Sequence, residues 1–187
     1  MTDGESRSDR TWVGERFRDV LTTQSYGGRP VIDGVRVIDL KVFSDEGGDF
    51  CEIARLGGDG TLACMPGYRP AQISYSFMEP GTIKAWHLHH HQDDLWFVPP
   101  LERLLVGLLD VREGSATYEA AIRLTLGAGN ARLLLIPRGV AHGVANLGAR
   151  PASLVYFVNT AFNPDDPDEH RLPYDLLGAD FWSIRPG

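Results

Sequence analysis

Short stretches with the composition of β-strands recur along most of this chain, and turn signals such as GGDG, MEPG and GAGN separate them. No helical segment of the kind that joins parallel strands lies between them. Many short strands at regular spacing, without crossover helices, are typical of an antiparallel sandwich or barrel. The sequence therefore predicts an all-β fold, with strands over 35–43, 50–56, 71–78, 82–89, 95–99, 102–112, 116–126, 131–137, 142–147 and 152–159.

The two ends of the chain differ from this pattern. Residues 1–10 are polar and are expected to form a loose tail, whereas residues 12–21 carry apolar side chains at helical spacing, which predicts a short amphipathic helix. The segment after Asn159 is rich in Pro and Asp, so we expect loop there. These features predict an N-terminal tail and short helix over 1–30 and a single β domain over 31–187.

Composition limits the class of protein. The 187 residues are 43% hydrophobic and carry a formal charge of −7, so the chain can bury a core and lacks the basic surface of a nucleic-acid binder. No apolar run approaches the roughly 20 residues that a membrane helix needs. The N-terminus has no apolar signal segment, and two cysteines, Cys51 and Cys64, do not indicate a disulfide framework. We therefore expect a cytoplasmic protein without nucleic-acid or membrane partners.

Four of the six histidines fall in the stretch WHLHHHQDD, residues 86–94. Because alternate side chains of a strand share a face, His87 and His89 are expected to point to one side, and Lys84 and Trp86 to the other. A His-x-His pair on a strand is a common arrangement for holding a metal, and histidine is also suited to proton transfer near neutral pH.

Residues further along the chain offer partners for this pair. Asp93 and Asp94 follow at a distance from which the chain could turn and present a carboxylate. The Pro137-x-Gly139 turn then reverses the chain and places His142 at the start of the next strand, where it can face the interior of a barrel. Imidazoles and a carboxylate together form a common ligand set for a divalent metal.

Two segments carry a resemblance to a known superfamily. The first runs from Gly81 through the His-x-His pair to Asp93 or Asp94, and the second is PRGVAHGVAN, residues 137–146. Together they resemble the two signature motifs of the cupins, with Asp in the first motif where cupins usually have Glu. This resemblance implies a double-stranded β-helix, which is a jelly-roll barrel, over 31–187 with its site in the mouth.

From Ile32 to Trp182 the chain is similar to the nucleotide-sugar 3,5-epimerases, which act on dTDP-4-dehydro-6-deoxyglucose in rhamnose synthesis. The matching segments occur in the family's order and are IDGVRVIDLKVFSDEGGDFCE, YRPAQISYSFMEPGTIKAWH, LLDVREGSATYEAAIRLTL, LLIPRGVAHGVANLG and LVYFVNTAFNPDDPDEHRLP. The resemblance implies a cupin-fold homodimer that needs no metal and that abstracts a proton beside a ketone.

The same resemblance implies roles for individual residues. It places His87 at the family's base, His142 at its second pocket histidine and Tyr156 near its tyrosine acid. The substrate-contacting positions that it implies are Gln72, Glu52, Lys84, Ser74 and Glu169.

The chain departs from the family pattern at several positions. An arginine of the family's opening segment is Gly47 here, the arginine before the base is Lys84, and the usual asparagine is Ser74. No lysine follows Lys84, although the family has one shortly after the base. The aspartate that orients the base in the family comes from a C-terminal segment for which we find no counterpart in this sequence.

Three functional hypotheses fit these observations. In the first, the protein epimerises or isomerises a carbon beside the ketone of a 4-keto-deoxysugar nucleotide, without a cofactor. In the second, His87, His89, His142 and Asp93 or Asp94 hold a divalent Zn, Ni, Fe or Mn ion, and the substrate is another small molecule. In the third, the barrel binds a ligand without catalysis. The first two compete for His87, because a metal-bound imidazole cannot also be a free base.

Overall fold

The computed structural model describes residues 10–24 and 30–185, so the expected tail over 1–10 lies outside the described residues except for Arg10. The described chain is nearly all β, as the sequence predicts. Its strands are β1 Arg36–Asp39, β2 Val42–Asp45, β3 Gly48–Cys51, β4 Gln72–Met78, β5 Ile83–Leu88, β6 Asp94–Phe97, β7 Arg103–Asp110, β8 Ala121–Gly127, β9 Arg132–Ile136, β10 Val140–Ala145, β11 Ala152–Val158 and β12 His170–Arg171. Helix α1 spans Glu15–Arg18, and a 3-10 helix spans Ala179–Trp182. Among the described residues, no helix has the length and apolar character needed to cross a membrane.

The strands form two five-stranded antiparallel sheets and a separate hairpin. The first sheet has the order β1-β9-β6-β11-β4, the second has the order β12-β5-β10-β7-β8, and β2 pairs with β3. Strands that are distant in sequence are neighbours in both sheets, as in a jelly roll. The predicted all-β jelly-roll fold is confirmed.

Apolar side chains form a core between the strands of the two sheets. The second sheet contributes Val106 and Leu108 of β7 and Val144 of β10, and the first contributes Trp96 and Leu134, all of them buried. Positions two residues apart on a strand share a face, which explains the spacing of these side chains. Their burial fixes which face of each strand is left for the polar residues of the site.

Further apolar residues bury other parts of the two sheets. Leu62 and Met65 belong to a buried cluster with residues of the first sheet. Phe181 and Trp182 pack on Trp86 of the second sheet at ring-centroid distances of 5.1 and 4.9 Å. Strands covered on both faces are apolar at nearly every position, and β10, with the sequence VAHGVA, is buried throughout.

An irregularity in the second sheet changes the side of strand β5 on which Lys84 lies. In the pairing of β5 with β10, His87 lies opposite His142 and Lys84 lies opposite Val144, with a register shift between the two pairs. Three residue steps of β5 therefore match two steps of β10, which is the pattern of a β-bulge. The bulge places Lys84 on the same cavity wall as His87. The prediction that Lys84 points to the same side of the strand as the buried Trp86 is therefore wrong.

Several predicted elements differ from the structure, and the strand predicted over 116–126 begins only at Ala121. Residues 12–21 contain only the short α1, because Trp12 and Val20 are largely exposed and bury no apolar face. The predicted strand over 35–43 divides into β1 and β2. The strand His170–Arg171 lies where the sequence predicts loop, because a pairing of two residues leaves no periodic pattern.

The position of Gly143 on β10 depends on close contact with the C-terminal aromatic residues. A Cβ atom there would overlap the Ala85 Cβ and would lie 2.9 Å from the Trp182 ring. We therefore expect Gly143→Ala to lower the free energy of unfolding by about 1–3 kcal/mol, measured by urea unfolding. Gly58→Ala is the control, because nothing lies within 4 Å of a Cβ atom at that position. Equal unfolding midpoints for the two variants would contradict this packing.

Candidate active site

A cavity of about 1510 Å³ lies between residues of the two sheets. Strands β4 and β11 of the first sheet and β5 and β10 of the second contribute side chains to its wall. Residues of the segment 160–171, which follows β11, complete the wall. All six histidines of the chain are among the lining residues. Such a concentration of imidazoles in one cavity marks it as the candidate active site.

Two of these histidines come from distant parts of the chain. His87 on β5 and His142 on β10 are cross-strand partners. Their rings are nearly parallel, with an interplanar angle of 12° and centroids 6.0 Å apart. His87 is partly exposed, whereas His142 is buried. The fold therefore brings together the two imidazoles that the sequence predicts in one barrel mouth.

His87 has a charged partner at each ring nitrogen. Its Nδ1 lies 3.2 Å from Glu169 Oε1, and its Nε2 lies 3.0 Å from Arg171 Nη1. Because a guanidinium can only donate, Nε2 is the acceptor, and the ring proton lies on Nδ1 beside the carboxylate. Burial, aided by the charges of Arg171 and His142, lowers the pKa of His87 to about 4, although Glu169 acts in the opposite direction. The ring is therefore neutral near pH 7 and keeps a proton-accepting nitrogen.

The partners of His87 come from a part of the chain that the sequence predicts as loop. Glu169, for which the sequence predicts a substrate contact, lies on the cavity wall and approaches Nδ1 of His87. Arg171 pairs with the same carboxylate and was not identified from the sequence. Glu169 thus gives His87 a carboxylate neighbour, although the sequence shows no counterpart of the aspartate that the family resemblance implies.

A second and buried cluster lies in the wall of the same cavity. Asp94 Oδ1 is 3.9 Å from His89 Nε2, and Asp94 Oδ2 is 3.7 Å from His142 Nε2. Through their other ring nitrogens, His89 donates to the carbonyl of Asp168, and His142 donates over 3.0 Å to the carbonyl of Val140. The three side chains are buried, and their ligand atoms lie within 4.8 Å of one another. They are the described residues best placed to hold a metal ion.

Asp93 does not belong to this cluster. Its carboxylate accepts hydrogen bonds from Arg138 Nε and Nη2 at 3.0 and 2.9 Å, and from Asn159 Nδ2 at 3.0 Å. Burial acts to raise the pKa of Asp93, but the hydrogen bonds and the charge of Arg138 outweigh it and lower the pKa. Asp94 faces the histidines instead. The structure therefore does not bring Asp93 into the predicted metal set.

Two predicted residues line the cavity from different sheets. Tyr156 lies on β11 of the first sheet, and Lys84 lies on β5 of the second. The Lys84 ammonium donates to Ser76 Oγ over 2.7 Å. This contact holds a positive charge on the cavity wall.

Of the three other residues predicted to contact the substrate, one lines the cavity and two do not. Gln72 lines the cavity and donates through Nε2 to Ser74 Oγ over 2.9 Å, but Ser74 itself is not among the lining residues. Glu52 is exposed and forms an ion pair of 2.7 Å with Arg55, away from the cavity. The structure of one chain therefore does not place Ser74 or Glu52 in the site.

Asp168 organises one wall of the cavity, and the sequence analysis missed it. Its carboxylate accepts hydrogen bonds from the backbone N–H groups of His90, His91 and Gln92 at 2.7, 2.7 and 3.0 Å. Its carbonyl accepts the bond from His89. No local pattern in the DPDEHRLP stretch indicates these contacts, because the groups that Asp168 binds lie far away in sequence.

The loop between β5 and β6 is expected to depend on this carboxylate. In Asp168→Asn one oxygen becomes an NH2 group, which cannot accept the bond from His90 in one orientation of the amide or the bonds from His91 and Gln92 in the other. We expect a loss of about 1–3 kcal/mol in the free energy of unfolding and faster amide exchange at residues 90–92. Asp165→Asn, at an exposed position in the same segment, is the control and should change neither quantity. Unchanged amide exchange in Asp168→Asn would refute this role.

The jelly-roll fold and the histidine-lined cavity between its sheets define a barrel of the cupin type. The family described as dTDP-4-dehydrorhamnose 3,5-epimerase matches residues 30–177, which is well over half of the chain. This protein therefore belongs to the dTDP-4-dehydrorhamnose 3,5-epimerase family.

Individual relatives agree with this membership. The spore coat polysaccharide biosynthesis protein SpsL of Bacillus subtilis is 45% identical over 145 residues, which are 78% of this chain and 91% of that protein. The probable low-salt glycan biosynthesis epimerase Agl13 of Haloferax volcanii is 34% identical over 146 residues, which are 78% of this chain and 90% of that protein. The crystal structure of a dTDP sugar isomerase from Desulfovibrio desulfuricans is similar with a TM-score of 0.66 at 29% identity, over 82% of this chain and 91% of that one.

Proposed function

We propose that this protein epimerises or isomerises a carbon beside the ketone of a 4-keto-deoxysugar nucleotide of the dTDP-sugar type. Family membership supports the reaction class. The observation that carries the proposal is that His87 and Tyr156 line one cavity from different sheets. Inversion of a carbon requires a base on one side of the sugar and an acid on the other. Side chains from the two sheets meet this requirement.

In this proposal His87 is the base. Its Nε2 takes the proton from the carbon beside the ketone, and the electron pair of the C–H bond moves onto the ketone oxygen to form an enolate. Glu169, beside Nδ1, stabilises the imidazolium that results. Arg171 contacts Nε2 in the structure, so substrate binding must exchange this contact for the C–H bond. The guanidinium is then available to the diphosphate, which it can bind through two parallel hydrogen bonds.

Tyr156 is the acid in this proposal. Its phenol returns a proton to the opposite face of the enolate carbon, and exchange with water restores both Tyr156 and His87 to their starting states. Lys84 adds positive charge to the cavity wall for the anionic substrate. His142, stacked beside His87, supports its position, while Gln72 offers an amide to the substrate. The proton transfers themselves need no cofactor.

Deuterium exchange tests this function. When dTDP-4-dehydro-6-deoxyglucose is incubated with the protein in D2O, we expect deuterium at a carbon beside the ketone, detected by mass spectrometry and NMR. His87→Gln should lower the exchange rate by about 100-fold or more, because the base is lost. Tyr156→Phe should retain exchange but lose the inverted product, because only the acid is lost. Tyr118→Phe, at an exposed position that does not line the cavity, is the control.

The outcomes separate the hypotheses. If the protein binds the sugar nucleotide without exchange, the non-catalytic hypothesis replaces this one. If it neither binds the nucleotide nor catalyses exchange, the substrate class is wrong. Unchanged product inversion in Tyr156→Phe would reject Tyr156 as the acid and leave His87 as the base.

We also propose that the protein is a homodimer. Strand β4 is an edge of the first sheet, and three apolar side chains on one of its faces, Ile73, Tyr75 and Phe77, are between 51% and 64% exposed. An exposed apolar row on an edge strand is a surface that another chain can cover. A second copy of this chain is the proposed partner, since closed twofold assemblies are the commonest form of soluble oligomer.

Size-exclusion chromatography with light scattering tests the dimer, and we expect the mass of two chains. Tyr75→Glu should raise the dissociation constant at least about 10-fold, because it places a charge in the covered surface. Leu101→Glu, which alters a side chain that is 90% exposed in the loop between β6 and β7, should leave the dimer intact. A wild-type mass of one chain would rule this proposal out.

We propose the cytoplasm as the site of action. Cys51 and Cys64 are both free thiols, which suits a reducing compartment.

A further inference from the structure

His89, Asp94 and His142 form a buried cluster. When both rings are neutral, the nitrogen and oxygen atoms that face one another in this cluster are hydrogen-bond acceptors. The Nδ1 protons of both histidines are engaged by backbone carbonyls, those of Asp168 and Val140. In a neutral imidazole the second nitrogen is then a lone-pair acceptor. The two Nε2 atoms and the Asp94 carboxylate are therefore three Lewis bases directed at one buried position.

No direct hydrogen bond links Asp94 to either histidine. The distances from Asp94 to His89 Nε2 and His142 Nε2 are 3.9 and 3.7 Å, which exceed hydrogen-bond length. Among the described residues, no Lys or Arg side chain forms an ion pair with Asp94, although its side chain is only 5% exposed. A buried carboxylate is normally paired with a cation or bound to a metal. In the part of the chain that the structure describes, only the two histidines lie within ion-pair distance of the Asp94 carboxylate.

Neighbouring groups hold Asp94 in place. Gln92 Nε2 donates to Oδ1 over 2.7 Å, and Trp96 Nε1 donates to Oδ2 over 2.9 Å. Each carboxylate oxygen thus has one neutral donor and one histidine nearby. Hydrogen bonds of this kind, together with the Nδ1 bonds of the histidines to carbonyls, are the usual means of orienting metal ligands.

We propose that His89, Asp94 and His142 bind one divalent transition-metal ion. Bonds of about 2.0–2.2 Å to imidazole nitrogen and carboxylate oxygen place ligand atoms about 3–4 Å apart. One Asp94 oxygen lies 3.9 Å from His89 Nε2 and the other lies 3.7 Å from His142 Nε2, and one ligand atom from each of the three residues lies within 4.8 Å of the others. Two imidazoles and one carboxylate suit Zn²⁺, Fe²⁺, Ni²⁺ or Mn²⁺ and leave coordination positions for other ligands. The resemblance to the 3,5-epimerases implies no metal, so the site is a feature of this chain's own residues.

His87 is excluded from this site. Both of its ring nitrogens have other partners, Glu169 and Arg171, and it does not belong to the cluster of ligand atoms around Asp94. A metal and a free base can therefore coexist in one cavity. A bound cation would supply a Lewis acid that polarises a carbonyl, a role for which the family's lysine has no counterpart here. That role rests on the proposed function, whereas metal binding does not.

Metal loading tests the site directly. The full chain, freed of any polyhistidine tag and stripped with a chelator, is titrated with Zn²⁺ by calorimetry and with Co²⁺ by visible absorption. We expect about one ion per chain and a Co²⁺ spectrum that shows nitrogen and oxygen ligands. Asp94→Asn should weaken binding by about 100-fold or more. The adjacent Asp93→Asn is the matched control and should bind as the wild type does, because Asp93 pairs with Arg138.

Two further variants make the result unambiguous. His87→Gln should keep the Co²⁺ spectrum and the affinity within about threefold, whereas loss of the spectrum would place His87 among the ligands and overturn the proposed set. If Asp94→Asn does not fold by circular dichroism, His89→Gln replaces it with the same expected loss. Failure of the wild-type protein to retain metal, or equal affinities in Asp94→Asn and Asp93→Asn, would overturn the site.

The same preparations separate this inference from the proposed function. Deuterium exchange in a wild-type protein that binds no metal would overturn the metal site alone. Metal binding with no exchange, in both the loaded and the stripped protein, would overturn the epimerase proposal and support the site.

Discussion

The antiparallel pairing of β5 with β10 is the constraint on which the site depends. It places His87 directly opposite His142 and fixes the 6.0 Å distance between their rings. Strand β10 lies between β5 and β7 and is buried at every position, so the backbone that carries His142 cannot shift without disturbing the core. The β-bulge in the same pairing turns Lys84 onto the wall that carries His87. The geometry of the site is thus a consequence of how one sheet is assembled.

The segment after β11 completes the site with charged groups. Asp168 binds the backbone of the loop between β5 and β6, and Glu169 and Arg171 bind the two nitrogens of His87. The pairing of Arg171 with His87 in the short strand β12 anchors the segment to the second sheet. Neutral imidazole, carboxylate and guanidinium are therefore held in contact, which is the arrangement that a base with an oriented proton requires.

The cavity contains two sets of histidines with different surroundings. His87 contacts charged side chains, and burial keeps it neutral near pH 7. His89 and His142 are buried, donate to backbone carbonyls and face Asp94. The epimerase and metal hypotheses compete for His87 when only the sequence is considered. In the folded protein the two groups of residues are separate, because Asp94 lies near His89 and His142, whereas His87 contacts Glu169 and Arg171.

The fold class followed from the sequence because its signals are local. Alternating apolar residues and Gly- or Pro-containing turns specify strands over short windows, and the motif around His142 indicated a pocket residue. Because these signals are local, some predictions that depend on tertiary contacts were wrong. Apolar spacing over 12–21 predicted a helix, but Trp12 and Val20 find no surface to bury against, so only α1 forms. The strand at His170–Arg171 is too short to leave a pattern.

By itself the sequence determined that the chain is nearly all β, and its resemblance to the cupins implied the jelly-roll barrel and the pocket that His87 and His142 share. Only the tertiary structure decided that Asp94 rather than Asp93 faces the histidines, and that Glu169 lies beside His87. The physical reason is that the pattern of a strand shows which of its side chains share a face, but not which residues of other elements they contact. The side of β5 on which Lys84 lies depends on the bulge, and the groups that the Asp168 carboxylate binds belong to a loop far away in the chain.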